Sequence, residues 1–200
     1  MILVTGGARS GKSATAERLA TGLAAGTVAQ SAAAGGRVLY VASAEARDEE
    51  MARRIARHQA RRPDHWGTLE APREAIARLR AVEGHWDCVL FDCLTLYISN
   101  LLLGAEPPPA GEIAPGGAAP GTDLEDRLLT ELGELARYLR TAWPRSVVVT
   151  NEVGSGIVPG DPLSRLFQDL QGMANQAFAR EADEVYLCAC GIPLRLKPSS

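Results

Sequence analysis

The sequence predicts an α/β fold: a mostly parallel sheet with helices on both faces, closed by an antiparallel hairpin strand at the C-terminal end. Three observations predict it. Short β-rich runs alternate with longer helical patterns, a glycine-rich turn separates the first run from the first helix, and the last apolar run follows its predecessor so closely that only a hairpin fits. The 200 residues suit one domain, 1–200, and can bury a substantial core.

The elements follow in order. "ILVT" (2–5) reads as a buried strand that runs straight into "GGARSGKS" (6–13) and then into a helical pattern. The alanine- and glycine-rich stretch 21–37 extends that helix in its first half and turns at "AAAGGR". "RVLYVA" (37–42) is the next strand, and "RDEEMARRIARHQA" (47–60) the next helix. That helix has acids in its first turn, basic residues towards its end, Pro63 beyond, and Met51 and Ile55 facing inward. "CVLFD" (88–92) is a strand ending in an acid.

Between Gly104 and Gly121 the proline-, glycine- and alanine-rich chain cannot bury enough apolar surface to offset ordering entropy, so a flexible surface insert is expected at 104–121. Thr122 with Glu125 forms a capping box ahead of the helix that follows. "SVVVT" (146–150) is another buried strand, and Asp161-Pro162 supplies an N-cap and a first-turn proline for "LSRLFQDLQGMANQAFA". "EVYLCAC" (184–190) and "IPLRL" (192–196) make the closing hairpin around Gly191.

Composition narrows the function classes. The formal net charge of -3 and pI near 5.7 lack the basic excess of a protein whose main partner is a polyanion, so nucleic acid is not an expected partner. Cys88, Cys93, Cys188 and Cys190 lie in or beside apolar runs without paired zinc spacing, which predicts buried thiols in a reducing compartment. With no charged apolar leader and no span-length apolar stretch, a cytoplasmic protein without stable membrane insertion is expected.

"GGARSGKS" fits the Walker A pattern in its required context, between a strand and a helix. Its glycines let successive backbone N–H groups point at phosphate oxygens, and the helix that starts near Lys12 adds its partial positive end. Lys12 would reach the β- and γ-phosphates and the Ser13 hydroxyl a Mg2+ position. Of the 21 basic residues only Lys12 and Lys197 are lysines, so a lysine stands where a compact ammonium is needed in a chain that otherwise uses arginine.

Asp92 at the end of "CVLFD" is the Walker B counterpart and the second metal candidate, or a cap for the helix after it. "VVVTNEVGSGIVPGDP" (147–162) leaves a buried strand directly into polar residues, which puts Asn151 and Glu152 at the carboxyl ends of the strands where ligands bind. Glu152 orients a substrate hydroxyl or a metal-bound water there, or simply hydrogen-bonds the loop.

"RRIARHQARRPDHW" (53–66) places Arg54, His58, Arg61 and Arg62 on one helical face by spacing. Three readings compete: a solvated charged face, a nucleic-acid contact without an aromatic platform, or an imidazole nucleophile at phosphorus among guanidiniums that hold a triphosphate. His65 and His85, beside Trp66 and Trp86, read as packing or surface residues.

"ILVTGGARSGKS", "VLYVASA" followed by "DEEMARRIARHQARRP", "TNEVGSGIVP" and "ADEVYLCACGIPLRLK" together resemble the bifunctional adenosylcobinamide kinase/adenosylcobinamide-phosphate guanylyltransferase family of cobalamin biosynthesis. The resemblance covers most of the chain outside 21–36 and 104–121. It implies a RecA-like P-loop NTPase fold and a homotrimer. It also implies phosphorylation of the aminopropanol hydroxyl of adenosylcobinamide by ATP or GTP, then transfer of GMP from GTP through a guanylylated histidine, here His58.

The implied nucleotide contacts are Gly6, Gly7, Ala8, Arg9, Ser10, Gly11, Lys12, Ser13, Ala42, Ser43, Ala44, Gln59, Ala60, Arg61, Arg62, Glu70 and Asp92. Asp92 stands where a glutamate is more familiar, and Gln59-Ala60-Arg61 replaces a loop richer in glycine. A P-loop small-molecule kinase without guanylyltransferase activity is the alternative.

Overall fold

The fold is seen in a computed structural model that describes residues 1–26, 36–46, 48–60, 62–105 and 122–198, except the side chains of Arg54, Arg57 and Thr122. Along the chain run β1 (Ile2–Gly6), α1 (Lys12–Ala25), β2 (Val38–Ala42), α2 (Glu49–Gln59), β3 (Gly67–Glu70), α3 (Ala75–Arg80) and β4 (Cys88–Asp92). They are followed by α4 (Leu94–Gly104), α5 (Thr122–Ala142), β5 (Ser146–Val149), α6 (Pro162–Glu181), β6 (Glu184–Ala189) and β7 (Ile192–Lys197). The strands form one sheet in the order β3-β2-β4-β5-β1-β6-β7, parallel throughout except for β7.

Strand alternation divides the core into two layers. Ile2, Val4, Val38, Tyr40, Cys88, Leu90, Val147 and Val149 face α1, meeting Ala16, Ala20 and Ala24. Leu3, Leu39, Val41, Val89, Phe91 and Val148 face the other way, onto α3, α4, α5 and α6 through Leu79, Ile98, Leu135 and Phe178. Both faces of the central strands are therefore buried, which explains their continuous apolar runs. The small residues on α1 let that helix lie close over β4 and β5 and bring its N-terminus to the carboxyl ends of the strands.

The helix signals hold where they are described. Asp161 caps α6 by accepting from the Ser164 N–H at 2.8 Å, with Pro162 in the first turn. Asp48 caps α2 through the Met51 N–H at 2.7 Å. The Thr122 capping box, and residues 106–121 of the expected insert, lie outside the description; Gly104 and Ala105 end and cap α4. Cys190 corrects the expectation of four buried thiols: it is exposed, because it forms the hairpin turn with Gly191 and both take positive φ, 53° and 81°. Among the described residues no helix is long and apolar enough to cross a membrane.

The start of β1 is fastened to the turn before β6. The Met1 amine donates to Asp183 Oδ2 at 2.7 Å, and Arg140 Nη1 donates to Asp183 Oδ1 at 2.7 Å. These two cations hold the Asp183 carboxyl down at about 2, from an ordinary 3.8. A carboxyl depressed on folding stabilises above its unfolded value and loses that contribution as the pH falls towards its folded value. Asp183→Asn should therefore lower stability at pH 7 by of order 1 kcal/mol, a value discounted for the solvent around this exposed carboxylate. Urea denaturation of both proteins should show the difference shrinking between pH 4 and pH 2; a constant difference across that window contradicts the assignment.

Candidate active site

The carboxyl ends of the strands carry the polar residues. Ala42 is in register with both Glu70 and Asp92, so the ends of β2, β3 and β4 form one row. Asp92 is level with Val149, which is level with Val4, two residues before the glycine-rich loop begins. The loop and Asp92 are thus separated by a single strand, β5, at the same edge of the sheet.

The loop is wound by unusual backbone conformations. Gly6, Arg9 and Gly11 all have positive φ, at 153°, 57° and 90°. A Cβ on Gly6 would lie 2.5 Å from the Cys188 carbonyl oxygen, and one on Gly11 would lie 2.9 Å from Gly191 Cα. The turn of the β6–β7 hairpin presses against the loop and is tied to it by the Gly191 N–H, which donates to Ser10 O at 3.0 Å. Glycine is therefore required at positions 6 and 11 by close approach as well as by conformation. Lys12 Nζ donates to Gly7 O at 3.0 Å and so is folded back over the loop, while Ser10 Oγ is buried without a hydrogen-bond partner among the described residues. Gly7, Ala8 and Arg9 are exposed at its tip.

Asp92 is held by Tyr40, whose hydroxyl donates to Asp92 Oδ2 at 2.8 Å. Burial, and then the neighbouring Asp92 charge, push the Tyr40 hydroxyl far above its usual range, so it acts here as a donor. The Arg62 guanidinium stacks on the Tyr40 ring at 3.4 Å from its centroid and donates to Thr68 Oγ1 at 3.1 Å. An Arg62–Tyr40–Asp92 chain therefore connects the segment after α2 to the acid at the end of β4. Arg62, Pro63 and Trp66 also face Ala14, Glu17, Arg18 and Thr21 of α1 across a cavity of about 290 Å³.

Ser43 is fully buried, and its hydroxyl is committed to the next strand: it donates to Cys93 O at 2.7 Å and accepts from the Cys93 N–H at 2.9 Å. Burial raises the Cys93 thiol to about 12, which keeps it a neutral packing group. Asn100 Nδ2 donates to Ser43 O at 2.7 Å, so α4 also holds the segment after β2. Ala44 is half-buried and Glu70 exposed at the end of β3.

Past β5, the Asn151 N–H donates to Thr95 Oγ1 at 2.9 Å, and the Glu152 N–H donates to Gly6 O at 3.2 Å. These bonds clamp "TNEVG" between the phosphate loop and the N-terminus of α4. Spacing alone put Asn151 and Glu152 at this edge; it did not reveal Tyr40, nor Thr5 and Asn175, which donate to Glu152 Oε1, nor Gln171, which donates to Asn175 Oδ1, because their parts depend on packing.

One geometric expectation is corrected. Helix α2 ends at Gln59 with Ala60 as its cap, and the Arg62 N–H donates to Gln59 O at 3.1 Å, so Arg62 leaves the helical face of His58 and turns onto Tyr40. Pro63 next along the chain disfavours continued helix at Arg62. Arg61 and the Arg54 side chain lie outside the described residues. His58 itself is half-buried in the last turn of α2, and no hydrogen bond or ion pair among the described residues ties its ring to the loop. Gln59 and Ala60 are exposed, as are His65 and His85, the latter paired with Asp87 at 3.2 Å.

The Walker motifs imply a metal, and Asp92 and Ser13 are its candidate donors. Asp92 Oδ2 is engaged by Tyr40, while Asp92 Oδ1 and the Ser13 hydroxyl accept no hydrogen bond among the described residues. Among those residues no group of three or more His, Cys, Asp or Glu is arranged to hold an ion. One carboxylate and one hydroxyl, both oxygen donors, fit Mg2+, which takes few protein ligands and completes its shell with phosphate and water.

Residues 2–196 match the family model for cobinamide kinase / cobinamide phosphate guanyltransferase. The chain is 42% identical over 196 residues to the bifunctional adenosylcobalamin biosynthesis protein CobP of Pseudomonas aeruginosa, covering 98% of this chain and 96% of that protein. It is 38% identical over 200 residues to the bifunctional adenosylcobalamin biosynthesis protein CobU of Salmonella typhimurium, covering 98% and 99%. Among solved structures it resembles the P4 protein of bacteriophage phi6 in complex with ADP, at 17% identity and a TM-score of 0.36 over 96% of this chain and 52% of that one, too remote a likeness to bear on function.

Proposed function

Since the chain belongs to the cobinamide kinase / cobinamide phosphate guanyltransferase family, we propose that its phosphate loop, Asp92 and His58 carry the two transfers of that family. The protein phosphorylates adenosylcobinamide and transfers a guanylyl group to the resulting phosphate in cobalamin biosynthesis. The observation that carries this reading is the family match over nearly the whole chain.

In the kinase step, backbone N–H groups of Gly7 to Lys12 cradle the phosphates of ATP or GTP, and the Lys12 ammonium balances the charge that develops between the β- and γ-phosphates. Ser13 and Asp92 would hold Mg2+, which neutralises phosphate charge when bound. The cobinamide hydroxyl attacks the γ-phosphorus, and positioning supplies most of the rate. Ala42, Ser43, Ala44, Gln59, Ala60, Arg61, Arg62 and Glu70 complete the nucleotide site by resemblance. The register of Ala42, Glu70 and Asp92 supports their grouping.

In the second step a His58 ring nitrogen attacks the α-phosphorus of GTP; an N–P bond forms, the α-phosphorus–oxygen bond breaks and pyrophosphate leaves. An oxygen of cobinamide phosphate then displaces the imidazole from phosphorus, which divides one hard transfer into two easier ones. The Arg62–Tyr40–Asp92 chain supports this role, because it joins the segment that follows His58 to the strand that would hold the metal. The enzyme works in the cytoplasm, without nucleic acid, as a homotrimer. Self-association is supported by the exposed Ile192, Leu194 and Leu196 of the edge strand β7.

Purified protein incubated with GTP radiolabelled at the α-phosphate should acquire acid-labile, base-stable label, as a phosphoramidate does, and cobinamide phosphate should discharge it as a GDP-type product. Kinase turnover with no label at any GTP concentration would make the chain a small-molecule kinase alone.

A further inference from the structure

Glu152 has no part in the steps above, yet it lies between their two anchors. Strand β5 separates β1, which carries the phosphate loop, from β4, which ends on Asp92, and Glu152 follows β5 at the carboxyl edge. Its N–H is bonded to Gly6 O at 3.2 Å, so its backbone position is set by the first residue of the loop.

Among the described residues the side chain is held on one side only. Glu152 Oε1 accepts from Thr5 Oγ1 at 2.7 Å and from Asn175 Nδ2 at 3.2 Å. Asn175 is itself fixed: its Nδ2 donates to Asn151 O at 3.0 Å, and its Oδ1 accepts from Thr150 Oγ1 at 2.7 Å and Gln171 Nε2 at 2.9 Å. Thr150 and Gln171 are fully buried, so this support belongs to the core. Oε2 accepts no hydrogen bond among the described residues, and the residue is exposed.

A carboxylate beside a triphosphate loop repels the nucleotide, so binding alone gives no reason for a charge here. A tether alone gives none either, because the donors on Thr5 and Asn175 would be satisfied equally by a glutamine carbonyl. One oxygen locked and the other open is the arrangement of a positioned proton acceptor.

We propose that Glu152 is the general base of the kinase step. Oε2 takes the proton of the substrate hydroxyl as that oxygen bonds to the γ-phosphorus. The bond from the γ-phosphorus to the bridging oxygen breaks, and the nucleoside diphosphate leaves with its electron pair. The assignment rests on the kinase half of the function proposed above.

The test measures both activities in Glu152→Gln, which keeps an acceptor for Thr5 and Asn175 and removes the base. Kinase kcat should fall about 10²- to 10³-fold with the KM for cobinamide changed little, while GMP transfer to ready-made cobinamide phosphate falls much less. Kinase turnover close to wild type, or parallel loss of both activities, overturns the proposal. If the glutamine variant does not fold, Glu152→Asp, which keeps the charge and withdraws the open oxygen, should show the same selective kinase loss; parallel loss again overturns it. Wild type lacking both activities overturns the function proposed above, whereas two intact wild-type activities with an indifferent Glu152 overturn this inference alone.

Discussion

His58→Ala should abolish labelling of the protein by GTP and leave phosphorylation of cobinamide running. Removing a covalent nucleophile leaves only binding and electrostatic stabilisation, so guanylyl transfer should fall by about 10³-fold or more. In the mechanism proposed above the kinase step does not pass through this imidazole, so its kcat should stay near wild type. Folding is not the reason for the loss. The ring is half-buried without a hydrogen-bond partner among the described residues, which keeps the expected stability change within about 0.5 kcal/mol. Quantitative labelling alongside urea denaturation checks both parts. Normal labelling of the alanine variant would move the nucleophile elsewhere, with the exposed His65 the first place to look.

Lys12→Ala and Lys12→Arg should both lose most of the kinase rate, about 10²- to 10³-fold in kcat, as for the removal of one preorganised donor to developing charge. The arginine variant is the informative one in a chain that uses arginine nearly everywhere else. Lys12 Nζ is folded back onto Gly7 O at 3.0 Å, inside a loop whose winding is held by Gly6, Gly11 and the hairpin turn. A planar guanidinium is broader than an ammonium and cannot take that place without displacing the loop. Steady-state kinetics with ATP and GTP, together with nucleotide binding by calorimetry, measure the effect. An arginine variant within threefold of wild type would show that charge alone suffices at this position.

Legibility differed sharply between parts of the molecule. The central strands announced themselves because both their faces are buried, and Val4, Val89 and Val148 needed only apolar neighbours in sequence to be read as strand. Strand β3, "GTLE", carried no such signal: it is four residues at the edge of the sheet, with Thr68 and Glu70 exposed, and pairing with β2 is what makes it a strand. The phosphate loop was legible because its chemistry is local, with glycine conformations and a lysine at set spacing. The charged face drawn around His58 was misjudged for Arg62 because the helical period was carried past the end of α2. There Ala60 and Pro63 turn the chain, and Tyr40 offers Arg62 a ring to cover.

The sequence by itself determined the class of fold, the phosphate loop with its strand and helix, the acid at the end of "CVLFD", and the family likeness on which His58 rests. The elements, the loop and the acid depend on residues close together in the chain, where periodicity and spacing act directly, while the likeness is carried by four such segments spread along it. Tertiary structure alone decided that the hairpin turn braces the loop, that Tyr40 links Arg62 to Asp92, and that one oxygen of Glu152 is locked by Thr5 and Asn175 while the other takes no hydrogen bond among the described residues. Those contacts join residues up to 182 positions apart, as Gly6 and Cys188 show. Strand order and register bring such pairs together, and neither is encoded in the spacing of any one segment.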